Sequence, residues 1–133
     1  MRLQLRSFIG ILTIISLCCG SKVEINEIVG SYIMQYPYGT EELLIEKRGY
    51  YMQTFRVKGE NNVWTNKGKW EYDEKGSRII LLDAILIDDN FGKMRPQFWN
   101  EAKIDWMLGV KKASGTVYLR FNPDFDYTFK KVD

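Results

Sequence analysis

The chain has 133 residues, 45% apolar and 27% charged, with nineteen basic and seventeen acidic side chains, two cysteines and no histidine. That length allows one domain and that apolar content folds, so wholesale disorder is excluded. The lack of histidine removes Ser–His and Cys–His nucleophile pairs and HExxH metal sites, and a charge of +2 is too small for nucleic-acid binding by bulk electrostatics.

Residues 1–20 read as an address rather than as part of the fold. Arg2 and Arg6 precede an apolar stretch of about 13 residues from Phe8 to Gly20. That is short of the roughly 20 residues needed to span a bilayer, and it matches a secretory signal. Two cleavages compete. Cys18-Cys19-Gly20 before Ser21 supplies the small residues that ordinary signal peptidase wants. Leu17-Cys18-Cys19-Gly20-Ser21 resembles the lipobox of bacterial lipoproteins, with Ser16 and Cys18 where that motif prefers Leu and a small residue. The resemblance implies cleavage after residue 18 and a lipid on Cys19. Gly20 and Ser21 lack the aspartate that retains such proteins at the inner membrane, so it also implies an outer-membrane address in a two-membrane bacterium. The resulting plan is a signal peptide at 1–18, a short tether at 19–28 and a folded domain at 29–133. Simple secretion is the alternative.

Removal of the signal changes the balance. Arg2 and Arg6 leave with it, and seventeen basic side chains then face seventeen acidic ones. Both cysteines lie at the junction, so the domain has no internal disulfide and no thiol chemistry. A tether of that length reaches at most about 30–36 Å.

After the tether, runs rich in Tyr, Trp, Phe, Ile, Val and Thr alternate with turn residues at close spacing, which predicts short antiparallel strands. In chain order they cover residues 29–36, 42–47, 50–57, 63–72, 78–82, 103–111, 116–122 and 127–132. Tyr32, Met34 and Tyr36 share a face, as do Tyr51, Gln53 and Phe55. Gly68, Trp70 and Tyr72 share another, as do Trp106, Leu108 and Val110, and Val117, Leu119 and Phe121. None of these windows sustains helical spacing. About eight meandering strands joined by short turns predict an all-β fold, a single up-and-down antiparallel barrel, which removes exposed edges. Gly68 inside a strand suggests a bulge or sharp bend.

Gly30-Ser31-Tyr32 resembles the Gly-x-Trp opening of lipocalin-type barrels, with Tyr in place of Trp. Residues 48–55, Gly68-Lys69-Trp70-Glu71 and residues 119–129 are similar to blocks of small uncharacterised bacterial lipoproteins of lipocalin-like fold. The resemblance implies a barrel with a small-molecule cavity and no enzymatic activity.

Residues 83–102 form the one long connection, and such stretches are usually functional or hold further structure, with the apolar Ala84-Ile85-Leu86-Ile87 a candidate strand extension. Asp88-Asp89-Asn90-Phe91-Gly92 is a turn signal. Its Asp88-x-Asn90 start resembles a calcium loop, but Lys93 and Trp99 stand where that loop needs Gly and Glu. Phe98 and Trp99 are placed either as a cap on the barrel or as an anchor for a partner. Gln53 is expected inside, bonded to another inward group or facing a ligand. Tyr32, Trp70 and Tyr72 are candidate walls of the same cavity, or core. Asp124 and Asp126 follow Asn122-Pro123 in ordinary turn composition. Lys111-Lys112 and Lys130-Lys131 read as solvated strand ends, with contact to anionic headgroups as the functional alternative.

These readings converge on a monomeric, non-catalytic, lipid-anchored binding protein of the bacterial cell envelope, without cofactor, metal or nucleic acid. Its ligand is a small apolar molecule or a protein. The alternative is an inhibitor or immunity protein acting through residues 83–102.

Overall fold

The computed structural model describes residues 22–88, 97–122 and 127–133, and of residues 87, 88, 97–102 and 122 the backbone only. A short helix, α1 (Ile25–Ile28), leads into eight strands: β1 (Gly30–Tyr36), β2 (Gly39–Ile45), β3 (Tyr50–Val57), β4 (Val63–Asp73), β5 (Arg78–Asp88), β6 (Gln97–Ala113), β7 (Thr116–Asn122) and β8 (Tyr127–Lys131). Each strand pairs antiparallel with the next, and β8 returns to β1 through Tyr32 opposite Lys131 and Ile33 opposite Lys130, closing the barrel. The expected all-β up-and-down barrel is therefore the observed fold. The inward faces predicted from alternation are the buried ones, from Tyr32, Met34 and Tyr36 on β1 to Val117 and Leu119 on β7.

Three boundaries differ from expectation. Pro37 and Tyr38 alone make the first turn, so β2 starts at Gly39, and Gly39 and Thr40 pair with Tyr36 and Gln35. The seven-residue tether segment from Lys22 to Ile28 is not a free spacer. Ile28 is fully buried, Val23 is buried, and the Tyr32 hydroxyl donates to Ile28 O at 2.6 Å. A capping box between Glu24 and Glu27 starts α1. Tyr72 Oη donates to Val23 O at 2.7 Å and Lys131 Nζ to Glu27 O at 2.8 Å, so this segment plugs one end of the barrel. Sequence alone missed it because four helical residues carry no readable period.

The third correction concerns residues 83–102. β5 runs on to Asp88 and β6 begins at Gln97, so most of the supposed loop is a hairpin of the barrel. A bulge sets Leu81 opposite Trp106 and Ala84 opposite Ile104, with Asp83 in between at φ 56°. A bulge admits one such residue and lets the strand continue. The expected strand 78–82 ends just before this bulge, and the apolar 84–87 continue it.

Candidate functional site

The two ends of the barrel differ. The closed end holds α1 and the turns after β2, β4 and β6. The mouth holds the turns after β1 and β3 and the far end of the β5–β6 hairpin. On the closed side the interior is filled: Ile45, Ile79, Leu108 and Phe129 have no accessible surface. Tyr32, Trp70 and Tyr72, the candidate cavity walls, sit in this half. Trp70 Nε1 donates to Glu46 O at 2.8 Å, and the Tyr32 and Tyr72 hydroxyls go to the plug. Their polar groups are engaged within the chain.

Toward the mouth the inner wall becomes accessible. Trp64 and Ile104 lie on the inner face by alternation with Trp70 and Trp106, and are 40% and 37% exposed. Leu86 and Phe121 are half-buried against the core. Beside them lies an aromatic cluster. Tyr36 packs edge-on to Phe55 at 5.8 Å and against Tyr127 at 5.0 Å, while Phe121 meets Trp106 at 4.8 Å. Edge-to-face pairing at these distances stiffens the cluster beyond area burial alone. Gly39 permits it, because a Cβ there would lie 2.9 Å from the Phe55 ring and 2.3 Å from Arg56 O.

Glu41 stands on the inner face of β2 in this half, with no accessible surface. It accepts from the Tyr36 hydroxyl at 2.9 Å and from Gln53 Nε2 at 3.0 Å. Among the described residues no lysine or arginine pairs with it. Burial pushes its carboxyl up to about 7, against the pull of the Gln53 and Tyr36 hydrogen bonds. Trp106 Nε1 is buried and has no acceptor among the described residues. An unpaired buried donor costs roughly 1–3 kcal/mol.

Gln53 is inside as expected, and it does more than bond Glu41. The backbones of β4 and β5 pair only from Trp70 opposite Leu81 to Asp73 opposite Arg78. Closer to the mouth the seam is held by side chains. Gln53 Nε2 donates to Ile85 O at 3.0 Å, and Gln53 Oε1 accepts from Ile85 N at 3.1 Å and Asn66 Nδ2 at 2.9 Å. Tyr51 Oη donates to Leu82 O at 2.8 Å, and Asn66 Nδ2 to Asp83 O at 3.1 Å. Gly68 leaves the space for this stitch: a Cβ there would lie 2.4 Å from Leu82 O and 2.6 Å from the Tyr51 hydroxyl. The Gln53 amide is thus saturated within the protein.

Sequence reasoning missed Glu41. The strand was expected to start at residue 42, which left Glu41 beside a turn with no assigned face. With two-residue turn geometry, alternation back from Leu43 and Ile45 places it inside. Phe98 lies in β6 opposite Ile87, while the Phe98 and Trp99 side chains lie outside what is described. So do Cys19, the signal, residues 89–92, Asp124 and Asp126. A scan against protein-family models matches no family, and searches of curated proteins and of solved structures match none.

Proposed function

We propose that this chain is a non-catalytic, lipid-anchored binding barrel of the bacterial cell envelope, lipocalin-like in architecture, with a small, mainly apolar ligand taken at the mouth. One observation carries the reading. Accessible apolar residues of the inner wall, Trp64 and Ile104, stand beside an aromatic cluster that holds a buried carboxyl, Glu41, and an unsatisfied indole donor, Trp106. A few fixed polar groups in an apolar recess are what orient a small ligand. The export signal and the lipobox-like residues around Cys19 support the location.

The test uses N-phenyl-1-naphthylamine, an apolar amine that brightens when desolvated. Saturable enhancement is expected with the native protein. Trp64→Ala, which removes inner wall at the rim, is expected to weaken it about tenfold, since truncating one well-packed aromatic anchor costs roughly 1–2 kcal/mol. No saturable enhancement would count against a mouth site. Radiolabelled palmitate incorporation that disappears in Cys19→Ala tests the anchor separately.

The length of the β5–β6 hairpin favours a second reading, recognition of a protein by its tip. β6 runs to 17 residues, the longest strand, and β5 to 11 as β4 does, against five to eight for β1, β2, β3, β7 and β8. On that reading, Phe98→Ala/Trp99→Ala leaves probe binding intact and abolishes capture of a defined partner.

A further inference from the structure

The closed end carries a feature that mouth binding does not use. A cleft of about 600 Å³ opens there, lined among others by Lys22, Tyr72, Glu74, Lys75, Lys111 and Lys112. Lys22 is also where the described chain begins. Cys19 lies three residues upstream, so its sulfur can be no further than roughly 11 Å of extended backbone, plus its own side chain, from a residue of this cleft. A tether of that length keeps a lipid on Cys19 near the plugged end and leaves the tilt of the barrel to whatever that end binds.

The chemistry of this end suits that position. The turn after β2 carries Lys47 and Arg48, the turn after β4 carries Lys75, and β6 ends in Lys111 and Lys112; all are exposed. Lys22 pairs with Glu74 at 2.9 Å and Lys112 pairs with Glu27. Lys47, Arg48, Lys75 and Lys111 have no ion pair among the described residues. Three apolar or aromatic side chains at the same end are unusually open: Ile25 at 50%, Tyr50 at 51% and Val132 at 44%. Cations with interspersed aromatic and aliphatic groups are what an anionic membrane interface favours.

We propose that the closed end of the barrel is a membrane-docking face, whose lysine-lined cleft receives the phosphate of anionic lipid headgroups. This rests on the acylation of Cys19 proposed above. The docking holds the mouth outward, so ligand entry does not compete with the bilayer.

The test uses the acylated mature protein in vesicles of phosphatidylcholine with 30 mol% phosphatidylglycerol. A fluorophore is placed at Ser114→Cys in the closed-end turn or at Asn61→Cys in the mouth turn, with a quencher on the lipid headgroup. Quenching is expected to be at least about threefold stronger at position 114. The contrast should collapse in pure phosphatidylcholine, and also in Lys75→Glu/Lys111→Glu with an unchanged circular dichroism spectrum. Equal quenching at both positions, with palmitate on Cys19, overturns docking and leaves the anchor standing. So does a contrast that survives in pure phosphatidylcholine or that millimolar inorganic phosphate abolishes. Absence of palmitate overturns the anchor, and docking with it.

Discussion

Glu41→Gln is expected to stabilise the barrel at pH 8 and to remove a fall in stability that the native protein shows between pH 4.5 and about 7. In the unfolded chain this carboxyl titrates near its ordinary value of 4.5, whereas in the barrel burial raises it to about 7. Between the two, the folded state keeps a proton that the unfolded state has released. Raising the pH through this window therefore lowers stability. The contribution is fully present below pH 4.5 and lost above about 7, and it amounts to on the order of 3 kcal/mol. Surface carboxylates act in the opposite sense. Lys112 and the Glu24 backbone hold Glu27 below its usual range, while Gly76 N–H and Arg78 do the same for Asp73. Their stabilisation appears as pH rises through the acid range, so it cancels in the difference between variant and parent. The measurement is urea unfolding of both proteins from pH 4 to 8. The variant's amide oxygen can still accept from Gln53, and its net gain at pH 8 should be about 2 kcal/mol, roughly 10 °C in Tm. Parallel stability curves would show that Glu41 is not a buried titrating group.

The barrel was legible in the sequence because one period repeats through it. Tyr32-x-Met34-x-Tyr36 and Val117-x-Leu119-x-Phe121 leave a single inward face, and turn residues between runs leave no room for crossovers. What was not legible depends on geometry that alternation does not encode. The strand over 78–82 and the apolar 84–87 read as two pieces, because a local window cannot tell a break from a bulge. Glu41 was hidden by a turn assigned three residues too long. Gln53 was placed on the right face, but its partners on β5 are 32 residues away, across a seam that becomes apparent only when β4 and β5 part beyond Trp70. The plug is a tertiary effect, made by hydroxyls of Tyr32 and Tyr72 reaching back to a segment with no pattern of its own.

That seam carries the other large expected effect. Gln53→Leu conserves volume but deletes two donors and two acceptors. Ile85 loses partners for both its N–H and its carbonyl, Asn66 loses its 2.9 Å acceptor, and Glu41 loses one of its two donors. At roughly 1–3 kcal/mol for each group left unsatisfied in a buried setting, and with partial relief from water entering at the mouth, the net loss should be on the order of 4 kcal/mol. For a domain of this size that is a fall of more than about 10 °C in Tm. Gln35→Leu is the control: Gln35 accepts from Thr40 at an exposed edge and should move stability by less than about 0.5 kcal/mol. Hydrogen exchange locates the effect. In the native protein the Ile85 amide should be protected although it donates to a side chain, and in Gln53→Leu it should exchange much faster than the amides of Leu81 and Leu119, with the seam opening before the rest of the barrel. Combining Gln53→Leu with Glu41→Leu should cost less than the sum of the two single changes at pH 5, because each removes the same Gln53–Glu41 bond. Unaltered protection at Ile85, or strict additivity, would mean that the β4–β5 seam is held by something other than this amide.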